Sequence, residues 1–253
     1  MLKTPSTLEE LVAPLSEAEF LSLLRERKLT LLRGSNADRY RNLLSWGLLV
    51  GMIERGEHPR SLADLSLSRE SVTVPADRWL TKNVAGAGNK VDIAKVEAYL
   101  AQGFSLCITR IDEHAPHLTT LCDDIRSRSF EQIKVGVIVT TGKDGAFKLH
   151  YDPEDLIILQ VEGSKRWKIY GPAVSHPVIG MPPPAPPPED APIFDEVLQP
   201  GTSCSCPAAT GTIARTDPAD PFTWDFSSCR RQAGISSGRS HRSWSPTKRF
   251  AGL

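Results

Sequence analysis

The sequence predicts an α+β fold, and three observations carry that reading. Helical signals dominate the first hundred residues, short apolar strand runs take over from Phe104, and aliphatic content collapses after Gly201. The chain has 253 residues, more than the ~150 of a convenient single domain, so one large domain or a domain with an appendage is expected. With 40% hydrophobic and 24% charged residues the composition is that of a globular chain, not a disordered or fibrous one.

Taken in order, Ser16-Glu17-Ala18-Glu19 is a capping box, and Phe20, Leu21, Leu23 and Leu24 form the apolar face of the helix it opens. Thr30-Leu31-Leu32 reads as a short strand between Lys28 and Gly34. From Asn36 to about Arg55, Leu43, Leu44, Leu48, Leu49 and Ile53 recur on a helical period. Asn89 is expected to cap a helix carrying Val91, Ile93, Val96, Tyr99 and Leu100, with Gly103 supplying its left-handed end. Strands are expected at Phe104 to Ile108 and Val135 to Val139, flanking a helix near Leu118 to Ile125. Two more are expected at Leu156 to Leu159 and Trp167 to Tyr170, joined by a turn at Glu162-Gly163-Ser164. The proline tract from Met181 to Pro188 has neither helix nor ladder available and reads as an extended surface loop, favoured over a proline-motif ligand.

Charge and termini narrow the function classes. Thirty Lys plus Arg balance thirty Asp plus Glu, so no broad electrostatic grip on nucleic acid or an anionic membrane is expected. No apolar run approaches the ~20 residues that cross a bilayer, and the start MLKTPSTLEE lacks a secretory apolar stretch. A cytosolic (cytoplasmic) location is expected. The five cysteines follow no disulfide framework.

The chemistry concentrates in Phe147-Lys148-Leu149-His150-Tyr151-Asp152-Pro153-Glu154-Asp155 and the run that follows it, through Gln160 and Gly163-Ser164-Lys165-Arg166-Trp167. On a strand, residues i and i+2 share a face, so the imidazole of His150 and the carboxylate of Asp152 converge. Two histidines and a carboxylate make the facial triad of iron(II) oxygenases, and His-x-Asp is two-thirds of it. Taken alone the motif is weak, and a surface turn competes with it.

The stretch from His150 to Trp167 resembles the His-x-Asp to Gln-x-x-Gly-x-Lys-x-Trp signature of JmjC-type cupin hydroxylases, in particular the ribosomal-oxygenase branch. Phe20 to Gly34, Asp38 to Trp46 and Gly103 to Leu121 resemble its N-terminal region. The resemblance implies a double-stranded β-helix (jelly-roll) core behind N-terminal helices. It also implies Fe(II), 2-oxoglutarate, and hydroxylation of an Arg or His side chain of a ribosomal protein. It makes His150 and Asp152 the first two metal ligands and Lys165 the partner of the distal carboxylate of 2-oxoglutarate, with Thr140 and Thr141 as hydroxyls near the cosubstrate. No catalytic side chain beyond these ligands is implied. Physically, a lone ammonium inside a β-barrel is costly unless a carboxylate meets it; without the motif, Lys165 would read as a solvated strand residue. Trp167 and Tyr170 read as packing residues.

The departure follows Leu198-Gln199-Pro200-Gly201. The family continues with an apolar strand, Pro-Arg-Gly and a third ligand His; this chain reads Thr202-Ser-Cys-Ser-Cys-Pro-Ala-Ala-Thr-Gly-Thr212. Shifting the reading frame by one base gives four successive codons with a central T over Ser203 to Cys206, if the serines use TCN codons. Over Thr202 to Thr212 the shifted frame permits Asp-Val-Leu-Phe-Val-Pro-Arg-Gly-Tyr-Trp-His. Only Ile213, Ile235 and Leu253 are branched aliphatics beyond Gly201, too few to offset ordering entropy. The expected organisation is a helical region at 1–88, an incomplete β core at 89–201 and an out-of-frame, disordered tail at 202–253.

Rival readings are a small metal site from Cys204, Cys206, Cys229 and His241, which matches structural zinc spacing poorly, and His176 as a surrogate third ligand. His114 and His117 read as a satisfied surface pair. At the level of function, the alternatives to an impaired hydroxylase are a non-catalytic cupin-like binding module and a cupin isomerase; the Gly-x-Lys-x-Trp context disfavours the isomerase.

Overall fold

Ser16 starts its helix as the sequence requires: its hydroxyl accepts from the Glu19 N–H at 3.3 Å, and the Glu19 carboxylate accepts from the Ser16 N–H at 2.9 Å. The computed structural model describes residues 4–34, 36–59, 61–82, 89–174, 185, 191–216 and the backbone of 222–231. The chain opens with α1 (Leu8–Val12), α2 (Glu17–Arg25), β1 (Thr30–Leu32), a 3-10 turn at Ala37–Tyr40 and α3 (Trp46–Glu54). It continues with β2 (Leu65–Arg69), β3 (Val72–Thr73), β4 (Leu80–Lys82), β5 (Asn89–Val91), α4 (Ile93–Leu100), β6 (Ser105–Ile108) and α5 (Pro116–Ser129). The rest is strand: β7 (Gln132–Thr141), β8 (His150–Tyr151), β9 (Asp155–Glu162), β10 (Lys165–Pro172), β11 (Phe194–Leu198), β12 (Ser203–Cys206), β13 (Thr210–Thr216) and β14 (Phe222–Arg231).

The strands form an eight-stranded sheet ordered β1-β12-β9-β14-β7-β6-β2-β3 and a four-stranded sheet ordered β11-β10-β13-β8, with β4-β5 as a separate hairpin. Alternation along the strands divides the core. Val135, Val137 and Val139 of β7, with Ile157, Leu159 and Val161 of β9, pack against the helical layer, including Phe20, Leu49, Leu118 and Ile125. The opposite faces meet the small sheet: Leu156 and Ile158 of β9, Cys204 and Cys206 of β12, and Trp167 and Ile169 of β10 form a second apolar cluster. The space between the sheets is therefore the inner face.

Several expected elements are found: the strands at Thr30–Leu32, Ser105–Ile108, Gln132–Thr141, Asp155–Glu162 and Lys165–Pro172, and the helix at Pro116–Ser129. Gly103 and Gly163 carry positive φ (83° and 63°), as their turns demand. Three expectations are corrected. Asn89 does not cap a helix; Asn89–Val91 pairs with Leu80–Lys82, and Asp92 caps α4 by accepting from the Lys95 N–H at 3.2 Å. β-branched Val91 is buried opposite Leu80 and leaves the helix one turn shorter. Second, Leu65–Arg69, inside the stretch expected to be helical, is a strand of the large sheet, because Leu65 and Leu67 alternate with Ser66 and Ser68 at period two.

The third correction concerns the expected loss of strands after Thr202. Ser203–Cys206 pairs with both β9 and β1, Thr210–Thr216 pairs with β10 and β8, and the backbone of Phe222–Arg231 pairs with β7 and β9. The entropy reasoning assumed that this segment had to bury its own apolar surface. Instead it enters sheets whose apolar surface comes from β7, β9 and β10, its backbone groups are met by ladder partners, and Cys204 and Cys206 serve as small hydrophobes on Ile158 and Leu156. The 232–253 part of the expected tail, the proline tract apart from Ala185, and His176 lie outside the described residues.

Entry into β12 is fixed by a close crossing. A Cβ on Gly34 would stand 2.2 Å from the Gly201 carbonyl oxygen, and one on Gly201, whose φ is 82°, would stand 2.2 Å from that of Asn36.

Candidate functional site

β8 is two residues long, and its register fixes the site. His150 stands opposite Thr212, Thr212 opposite Ile169, Ala214 opposite Trp167, and Thr216 opposite Lys165. Residues directly opposite in antiparallel strands project to one side, as do residues two apart along a strand. Ile169 and Trp167 belong to the inner apolar cluster, so His150, Thr212, Thr216 and Lys165 share the inner face. Lys165 is 3% exposed. Thr140 lies on the large sheet, on the face of β7 opposite Val137 and Val139; it is buried, and its hydroxyl oxygen accepts from the Ser105 hydroxyl at 3.0 Å.

His150 Nδ1 is 2.8 Å from the Lys148 carbonyl oxygen. A carbonyl only accepts, so Nδ1 carries a proton and Nε2 is the atom turned toward Asp152, 3.4 Å from its Oδ2. The Phe147 ring packs on the imidazole with centroids 5.4 Å apart. Burial opposes charge on the imidazole, but the adjacent Asp152 carboxylate and the Lys148 carbonyl outweigh it and raise the pKa above the ordinary histidine value. Burial likewise opposes charge on Asp152, where the charge and hydrogen bond of His150, with the charge of Lys134, prevail and lower the pKa. An imidazole nitrogen and a carboxylate oxygen thus converge, with Nδ1 held by a backbone carbonyl as metal-binding histidines commonly are.

The turn between β12 and β13 is pinned to this site. The Ala209 N–H donates to the Asp152 carbonyl at 2.7 Å, and the Ala208 N–H to the Asp155 carboxylate at 2.7 Å. Neither contact was foreseen from sequence, where Asp155 three residues beyond Asp152 was the one available signal; position 212 is the one at which the shifted frame permits His. Among the described residues no group of three or more His, Cys, Asp or Glu side chains could hold a metal ion. Cys204 and Cys206 are 3.8 Å apart through sulfur and buried; the side chains of Cys229 and His241, their expected companions, lie outside the described residues. His117 bonds to the Leu43 carbonyl through Nε2, a structural role.

Comparison with known proteins bears on the same stretch. A sequence model of the JmjC domain matches residues 112–218, spanning α5 to β13 and running across the compositional break at Gly201. Two curated relatives, from Drosophila willistoni and Drosophila persimilis, are named bifunctional lysine-specific demethylase and histidyl-hydroxylase NO66. They are 30% identical over 125 residues and 26% identical over 197 residues. Residues 112–218 of this chain are thus similar to a JmjC domain. The JmjC alignments cover 48% and 77% of the chain but only 16% and 27% of those relatives, so the chain spans about a quarter of their length or less. A solved structure of YcfD, a ribosomal oxygenase from Escherichia coli, in complex with cobalt and 2-oxoglutarate shares the JmjC cupin-like fold: TM-score 0.55, 15% identity, 87% of this chain and 53% of that one. Among the described residues no helix is long and apolar enough to cross a membrane.

Proposed function

We propose that this chain carries the pocket of an iron(II)- and 2-oxoglutarate-dependent protein hydroxylase whose substrate is an Arg or His side chain of a ribosomal protein, and that its present sequence is impaired in that activity. The supporting observation is the convergence of His150 Nε2 and Asp152 Oδ2, 3.4 Å apart, at an inner face that also takes Lys165. His150 and Asp152 are the two metal ligands of this reading, and Lys165 is the cation for the distal carboxylate of the cosubstrate, since charge-assisted contacts are the strong ones in a buried site. Thr140 adds a hydroxyl to the same interior. Nothing in the proposal calls on nucleic acid or membrane, and a ribosomal substrate gives it a cytoplasmic setting.

Two protein donors do not fit a facial triad, which needs three, and no described side chain completes it. The out-of-frame reading of 202–253 belongs to the proposal as the origin of that loss. It is favoured by buried hydroxyls at Ser205, Thr210 and Thr216 that have no partner among the described residues, a poor match of side chain to place. The gene sequence around the Gly201 codon tests it directly.

The functional test has two parts. Succinate release from 2-oxoglutarate with iron and ribosomal protein is expected to be negligible, and substantial turnover refutes the impairment. Calorimetric titration of 2-oxoglutarate with cobalt present is expected to show binding that Lys165→Ala abolishes; unchanged binding refutes the role of Lys165. A non-catalytic binding module is the second reading, favoured by the missing third donor, and it predicts peptide binding without succinate release under any metal supply.

A further inference from the structure

Thr212 is fixed by two ladders at once, opposite His150 on one side and Ile169 on the other, and it is 2% exposed. Directly opposite residues hold their Cβ atoms roughly 4.5–5.5 Å apart and project to the same side. A cation between His150 Nε2 and Asp152 Oδ2 therefore lies in front of the side chain at 212. A threonine hydroxyl sits on Cβ itself, too close to its own backbone to reach a point beyond the His150 ring. It is also a neutral oxygen, whereas transition metals of this class favour imidazole or carboxylate. The turn that leads into residue 212 is held to the site segment by the Ala209 and Ala208 N–H groups, so the backbone at this position is preset.

We infer that Thr212 occupies the place of the missing third donor, and that the inner-face pair His150 and Asp152 is an incomplete cation site which one substitution completes. The inference rests on the proposed reading of those two residues as metal ligands and adds where, in this chain, the deficit lies.

The test is cobalt(II) binding by the purified chain, read by visible absorption and calorimetry, with urea unfolding to confirm that each variant is folded. The unsubstituted chain is expected to bind cobalt weakly. Thr212→His should tighten binding by about 100-fold or more, since even losing a residue behind a ligand costs roughly 10–100-fold, and His150→Ala in that background should abolish the gain. Thr212→Cys, close in size to threonine, covers the case in which the imidazole is not accommodated: it should produce a thiolate-to-cobalt charge-transfer band. Folded variants that bind no better than the parent and show no such band overturn the inference, as does a gain that survives His150→Ala, or a parent that already binds as tightly. Cobalt bound tightly by Thr212→His, but with a spectrum that 2-oxoglutarate leaves unchanged, supports the inference and refutes the hydroxylase reading.

Discussion

Thr216→Val should make this protein more stable. Thr216 is 3% exposed, and its hydroxyl has no partner among the described residues. An unpaired hydroxyl moved from water into such a site costs about 1–3 kcal/mol, and valine keeps the shape while removing the oxygen. Allowing for imperfect fit of the new methyl, a gain of about 1–2 kcal/mol is expected, or roughly 2–8 °C in Tm at about 2–4 °C per kcal/mol for a domain of this size. Ser205→Ala should give a similar gain. Ser205 lies in the other sheet, opposite Ile157 on the face turned to the helices, so the two effects should add. Urea unfolding followed by tryptophan fluorescence measures both, with the midpoint rising and the slope unchanged. A midpoint that stays put or falls for both variants would show that these hydroxyls are well served where they are, and would refute the view that the segment's side chains are foreign to their positions.

Three further outcomes are expected. Asp112 is 2% exposed and accepts from the Val135 N–H at 2.8 Å and from Arg126 at 3.1 Å, tying α5 to β7; Asp112→Ala should cost about 3–5 kcal/mol in urea unfolding, with Asp112→Asn intermediate. With a chelator present, the His150–Asp152 pair should stabilise most between the unperturbed values of 3.8 and 6.5. The raised histidine contributes below 6.5 and loses its contribution as pH climbs through its folded value; the lowered aspartate contributes above 3.8 and loses its share as pH falls through its own. His150→Gln should flatten the high-pH limb of the urea midpoint, and an unchanged limb would dissociate that titration from His150. The Cys122 thiol is pushed up to about 12, chiefly by burial with the Asp112 charge adding to it, so iodoacetamide at pH 8 should label it only after unfolding; mass mapping that finds native labelling would contradict its burial.

Much of the architecture was legible because it depends on local signals. The Ser16 to Glu19 capping box, the apolar runs of β7, β9 and β10 and the turn at Gly163 each state their structure within a few residues. The convergence of the His150 imidazole and the Asp152 carboxylate was legible for the same reason, two positions apart on one face. The C-terminal strands were not, because their stability is borrowed: Ser203–Cys206 has no aliphatic residue and becomes strand through neighbours nearly fifty residues before it in β9, and farther still in β1. Period-two alternation at Leu65–Arg69 was readable but lay inside a region that looked helical on either side. The register that sets Thr212 against His150 is a long-range property that the residues as written do not announce; only the shifted frame, which permits His at 212, points to it.

The order of strands also sets the order in which the large sheet is completed. β14 lies between β9 and β7, so the last of the described strands to be synthesised fills the middle. At about 5–20 residues per second, β7 and β9 wait several seconds with facing edges open, each edge bordered by Val and Ile side chains. During that interval the nascent protein is two half-sheets with no ladder between them, which is the kind of edge that pairs with other chains. Any chain released before Phe222 would keep both edges. For this topology, a chain stopping short of Phe222 would meet a solubility problem before a catalytic one.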